Sequence, residues 1–102
     1  MAKLVALYKK PQDISAFDSH YFSVHAPLAR KIPGLRSFEV STGAIASVTG
    51  DSPYHLVALL EFDSLTAVQQ ALGTPEGQAT AGDLANFAQA GVELLMFDSR
   101  EL

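Results

Sequence analysis

The chain has 102 residues, 48% of them apolar and 18% charged, with a net charge of −4 and no cysteine. That length suits a single domain over residues 1–102 burying roughly 65% of its unfolded surface, too apolar for disorder and without a stretch long enough to cross a bilayer. The dispersed acidic balance offers nucleic acid no basic footprint, and the lack of cysteine removes disulfides, thiolate chemistry and zinc ribbons, so a cytoplasmic setting is expected.

Lys3 to Tyr8 is a run of strand formers, and Lys9-Lys10-Pro11-Gln12 reads as the turn after it. Such an opening alternates like a strand rather than a secretory leader, so export is not expected. Asp13 caps a helix in which Ile14, Phe17, Tyr21, Val24, Leu28 and Ile32 recur at three- and four-residue steps, and Pro33-Gly34 ends it. Leu35 to Ala46 reads as a long second strand that fades into a Ser-, Thr-, Gly- and Pro-rich loop. His55 to Phe62 is the third and most apolar strand. Ser64 caps a helix with Leu65, Val68 and Leu72 on one side, closed by Gly73. Thr74-Pro75 opens a further helical segment toward Ala90, with proline where its missing N–H costs nothing. Gly77 and Gly82 weaken that segment, and a break near Asp83 is expected. Gly91 then releases Val92 to Phe97 as the last strand.

The order βαββαβ predicts a ferredoxin-like α+β fold, a four-stranded antiparallel sheet with two helical segments on one face. Leu4, Ala6 and Tyr8 alternate with Val5 and Leu7, and Leu56, Ala58, Leu60 and Phe62 alternate with Val57 and Leu59, so both sheet faces are apolar. A half-solvated antiparallel sheet alternates apolar with polar, and the helices cover only one side. The second face is expected to be covered by another copy of the chain. Burying about 800 Å² of apolar area gains ~20 kcal/mol gross, more than association costs of ~4–15 kcal/mol, so a homodimer is predicted.

The first helix holds the most suggestive constellation, Tyr21-Phe22-Ser23-Val24-His25-Ala26-Pro27. His25 sits at the edge of the apolar stripe beside Phe22, and Pro27 deletes the hydrogen bond to the Ser23 carbonyl, predicting a kink with unmet acceptors. An imidazole with a reference pKa of about 6.5 at the border of an apolar cavity suits general acid–base work. The same ring could equally close the core by donating to a free carbonyl. Tyr8 and Tyr21 are candidate oxygen-orienting donors, and Phe22 is a further candidate substrate contact. Glu61 is a candidate carboxylate if it faces the pocket. His20 lies some 140° around an α-helix from His25, so no shared metal site is expected. Tyr54 and His55 read as loop anchors, and Asp18 and Glu39 as solvated charges. The glycines form no phosphate-cradling motif, which leaves nucleotide cofactors unsupported. Similarly ordered RNA-binding domains present aromatics on a basic sheet, whereas strand three here is aliphatic.

Leu7-Tyr8-Lys9-Lys10-Pro11, Tyr21-Phe22-x-x-His25-x-Pro27-Leu28-Ala29 and Ile32-Pro33-Gly34-Leu35-Arg36 together resemble the EthD family. The likeness continues through Glu39-Val40, Glu61-Phe62-Asp63-Ser64, Thr74-Pro75-Glu76-Gly77 and Asn86-Phe87-Ala88, spanning nearly the whole chain. His-x-Pro in helix one is its specific part. The resemblance implies a dimeric α+β barrel, in a family named for ethyl tert-butyl ether degradation, similar to muconolactone isomerases, polyketide cyclases and cofactor-free monooxygenases. It implies a pocket position for His25, and no cofactor. The expected activity is isomerase-, cyclase- or dehydratase-like on a small apolar or aromatic metabolite, with His25 moving a proton. The alternative is a non-catalytic dimeric binding protein for a hydrophobic metabolite in a degradation pathway.

Overall fold

The computed structural model describes residues 1–102 and runs, in chain order, β1 (Ala2–Lys9), α1 (Ile14–His20), a π turn (Tyr21–His25), α2 (Ala26–Arg30), β2 (Ser37–Val40), β3 (Ala46–Ser47), β4 (Gly50–Asp51), β5 (Tyr54–Phe62), α3 (Leu65–Leu72), α4 (Pro75–Phe87) and β6 (Val92–Asp98). The main sheet has the antiparallel order β2-β5-β1-β6, the ferredoxin-like arrangement. β1 and β5, both central, pair from Ala2↔Phe62 to Tyr8↔Leu56, with an irregularity at Lys9. The apolar parity sets the layers: Ala2, Ala6, Tyr8, Leu56, Ala58, Leu60 and Phe62 are buried under the helices. Val5, Leu7, Val57 and Leu59 share the opposite face with the half-exposed Leu95 and Phe97 of β6. No helix is long and apolar enough to cross a membrane.

Three local expectations are corrected. The second strand stops at Val40, well short of Ala46. The Ser41 hydroxyl takes the Val57 N–H at 3.0 Å and Gly43 turns the chain off the sheet at φ 71°, after which β3 and β4 form a small separate hairpin. The helix expected to kink at Pro27 instead widens into the π turn, where the Ala26 N–H reaches the Tyr21 carbonyl five residues back. Pro27 then falls in the first turn of α2, where a missing N–H is tolerated.

The third correction concerns α4, which runs unbroken through Asp83 and ends at Phe87 rather than Ala90. Aspartate weakens helix interiors by competing for backbone donors. Here both carboxylate oxygens are engaged by other side chains, so that competition does not arise. The start of α4 is held by the Thr74 hydroxyl, which accepts from the Gly77 N–H at 3.1 Å and donates to the Ala71 carbonyl at 2.6 Å.

Candidate functional site

Tyr8, at the end of β1, is the hub of an aromatic cluster. Its ring centroid lies 5.5 Å from both Phe17 and Tyr21 and 5.6 Å from Phe87. Edge-to-face packing of this kind adds to the gain from burial alone and holds α1, the π turn and α4 on the sheet. Among these rings sits His25, only 4% exposed, with its centroid 4.7 Å from that of Phe87.

The π turn decides what His25 touches. Five α-helical residues would separate His20 and His25 by about 140°. The wider turn brings both imidazoles to one carboxylate, Asp83 of α4. His25 Nδ1 donates to Asp83 Oδ2 at 2.9 Å, and His20 Nε2 donates to Oδ1 at 2.9 Å and Oδ2 at 3.0 Å. Asn86, one turn later on α4, adds its amide to Oδ1 at 2.9 Å. An ionised carboxylate only accepts, so the proton of neutral His25 resides on Nδ1. The lone pair of Nε2 then faces the Tyr8 hydroxyl, 3.4 Å away.

The electrostatics follow from these contacts. Burial pushes the Asp83 carboxyl up, but hydrogen bonds from Asn86, His20 and His25 outweigh it and hold the group below the ordinary carboxylate value. Burial lowers His25 below the usual imidazole value; the hydrogen bond and charge of Asp83 pull the other way without cancelling it, and His20 adds to the lowering. The Tyr8 and Tyr21 phenols are both pushed far up, chiefly by burial, so they stay protonated as hydrogen-bond donors. The product is a neutral imidazole with its Nε2 lone pair turned to the Tyr8 hydroxyl, a carboxylate behind it and the Tyr21 phenol beside it.

Tyr8, Tyr21 and His25 line one apolar cavity of about 60 Å³, walled also by Ala6, Leu60, Leu84 and the exposed-edge residue Leu94. The other two candidates lie elsewhere. Glu61 projects from the opposite face of β5 and pairs with Lys3, because it shares strand parity with Val57 and Leu59. Phe22 is half-exposed and lines a separate groove with Ile14, Asp18 and His55. Only its ring edge meets Tyr21, at 5.2 Å. Asp18 is not a free charge but bonds His55 Nε2 at 2.7 Å, and Tyr54 anchors β5 to Glu93 at 2.8 Å. No group of three or more His, Cys, Asp or Glu side chains is arranged to hold a metal ion. Sequence reasoning missed Asp83, His20 and Asn86. The signal present was an acid at Asp83 with an amide one turn later at Asn86, between the apolar Leu84 and Phe87 of the same helix.

The family model of the EthD domain matches residues 9–91. An uncharacterized 11.0 kDa protein from the thcB-thcC intergenic region of Rhodococcus erythropolis is 40% identical over 99 residues, covering 96% of this chain and 94% of that one. The crystal structure of an ethyl tert-butyl ether degradation (EthD) family protein from Bacillus halodurans C-125 is 43% identical with a TM-score of 0.89, covering 98% of this chain and 99% of that one. At the level of fold, SnoaB, a cofactor-independent oxygenase from Streptomyces nogalater, superposes with a TM-score of 0.70 at 19% identity over 99% and 94% of the two chains. A dimeric ferredoxin-like protein of unknown function from Bacteroides fragilis does so with a TM-score of 0.62 at 22% identity over 96% and 95%.

Proposed function

The chain belongs to the EthD domain family, and on that footing we propose that it is a cofactor-free enzyme in which His25 transfers a proton to or from a small apolar or aromatic metabolite. The observation that carries the reading is the continuous line Asp83, His25, Tyr8 ending at an apolar cavity. In this mechanism His25 Nε2 accepts a proton from the substrate, and the Asp83 carboxylate stabilises the imidazolium as it forms. For this the Tyr8 hydroxyl turns from His25 Nε2 to the substrate and, with that of Tyr21, donates to the oxygen on which negative charge develops. Isomerisation, dehydration and cyclisation all need this one step. A void of about 60 Å³ holds roughly two waters, so only the reacting end of the metabolite enters, its remainder emerging past Leu94 at the β6 edge. The fold shared with a cofactor-independent oxygenase supports small-molecule chemistry without a bound group.

The test is solvent deuterium exchange into a panel of small enolisable lactones and aryl ketones, followed by NMR. Wild-type protein is expected to accelerate exchange, and His25→Gln to lower the rate by about 10²–10⁴ while remaining folded. Equal exchange by the variant defeats proton transfer by His25 and leaves the carrier role, in which the pocket only holds its ligand.

The working unit we propose is a cytoplasmic homodimer of this single domain, residues 1–102. Its support is the sheet face carrying Val5, Leu7, Val57, Leu59, Leu95 and Phe97, which no helix covers, and the dimeric state of the similarly folded Bacteroides protein. Glu61 and Lys3 would then form a charge pair inside the interface and help set its register. Sedimentation at micromolar concentration is expected to give twice the 10.9 kDa protomer mass, and a 10.9 kDa particle would overturn the dimer.

A further inference from the structure

The mechanism above uses one face of Asp83. The other face is held by His20, whose role that mechanism leaves unassigned. His20 is 27% exposed at the side chain and lines an open groove of about 730 Å³ with Gln12, Asp13, Asn86, Phe87 and Gln89. Its Nε2 is spent on the carboxylate, which leaves Nδ1 for the groove. The Phe87 ring packs against both histidines, stacked on His20 at 5.1 Å and 24° and tilted against His25 at 4.7 Å. The polar path from His25 to water therefore leads through Asp83 to His20. A proton arriving from the groove meets His20 first.

We propose that His20 is a positioning residue for the buried base: by sharing Asp83 with His25, it sets how much of the carboxylate's charge His25 receives, and so keeps His25 neutral and able to accept a proton in mildly acidic solution. This rests on the reading of His25 as the base. Both imidazoles meet the one carboxylate through short contacts, so positive charge on both rings would set two cations against a single negative group. The other groups facing the pair do not replace this control. Tyr8 and Tyr21 face His25 as protonated phenols, Asn86 is neutral, and Asp13 at the groove rim accepts from the Ala16 N–H. The lowering of His25 by the charge of His20 agrees with this arrangement.

The sign is testable without any substrate. In His20→Gln the competing charge is gone, so the ring titration of His25, followed by NMR of labelled histidine in the full chain, is expected to move up by about one pH unit, roughly a tenfold gain in proton affinity. His20→Phe keeps a ring stacked on Phe87 without a titrating nitrogen and is expected to give the same shift, which separates charge control from packing. Turnover against pH is expected to lose its acid side at correspondingly higher pH in both variants. A His25 titration that stays within about 0.3 units of wild type in both, or that moves down, overturns the role of His20. That outcome is distinct from failure of the base itself, which His25→Gln reads by exchange rate alone.

Discussion

Asp83→Asn is expected to keep the fold while lowering turnover by about 10²–10⁴, with Asp83→Ala the less stable of the two by a wide margin. Asparagine has the shape of aspartate but no charge. Its amide presents one acceptor where three donors now converge, from His20, His25 and Asn86. With His25 in its present tautomer, at least one N–H loses its partner whichever way the amide lies, at a cost of about 1–3 kcal/mol. His25 is also released from the tautomer that points its lone pair at the cavity, and the imidazolium loses its counter-charge. Alanine removes every acceptor and leaves the donors facing a void, for which about 3–5 kcal/mol is expected. Urea unfolding measures the stability change, and deuterium exchange into enolisable substrates measures the chemistry. Asp83→Asn with turnover within tenfold of wild type would reduce the carboxylate to a structural bond.

Gly77→Ala is expected to destabilise by at least about 3 kcal/mol, whereas Gly82→Ala in the same helix is expected to stabilise by ~0.5–1 kcal/mol. Helix propensity alone would favour both changes, since glycine costs up to about 1 kcal/mol in a helix interior. Position in the packing reverses one of them. A Cβ on Gly77 would stand 2.2 Å from the Ala71 carbonyl oxygen and 2.8 Å from the Leu72 Cα. Both are backbone atoms of α3, so no rotamer relieves the overlap and the two helices must separate. Gly82 has nothing within 4 Å. For a chain of this size roughly 4–8 °C accompanies each kcal/mol. Calorimetry should therefore place the Gly77 variant more than about 12 °C below wild type and the Gly82 variant a few degrees above it. Shifts of the same sign at the two positions would show that propensity, not helix contact, governs α4.

These cases show where reading the chain succeeds. The alternation in Lys3 to Tyr8 and His55 to Phe62 assigned the central strands and the residues on each face, because strand side chains must alternate whatever they pack against. The same parity places Glu61 with Val57 and Leu59, away from Leu60 and Phe62, so its position opposite the pocket is legible in the strand pattern. Caps at Asp13 and Ser64 and the proline of Thr74-Pro75 marked three helix starts through local chemistry, and the structure contains all three. The failures share a different cause. Ser41 ends β2 by bonding Val57, a partner sixteen residues away that no local pattern announces. The break expected near Asp83 rested on the low helix propensity of Gly77 and Gly82, and the close packing of Gly77 on α3, which holds α4 in place, is not visible along the chain.

The EthD-type sequence thus determined by itself the βαββαβ order and the doubly apolar sheet, which follow from periodicity and composition along the chain, and of its candidates His25, Tyr8, Tyr21, Phe22 and Glu61 the structure brings the first three to one cavity. Tertiary structure alone decided the rest. A π turn shifts the phase of one helix and delivers His20 and His25 to a carboxylate sixty-three and fifty-eight residues later in the chain. Close approach of α3 to α4 turns an apparently weak glycine into a required one. Periodicity reports which side of an element is buried, whereas the identity of the group it meets depends on how separate elements dock. The lowering of His25 below the usual imidazole value, chiefly by burial, is a property of that docking.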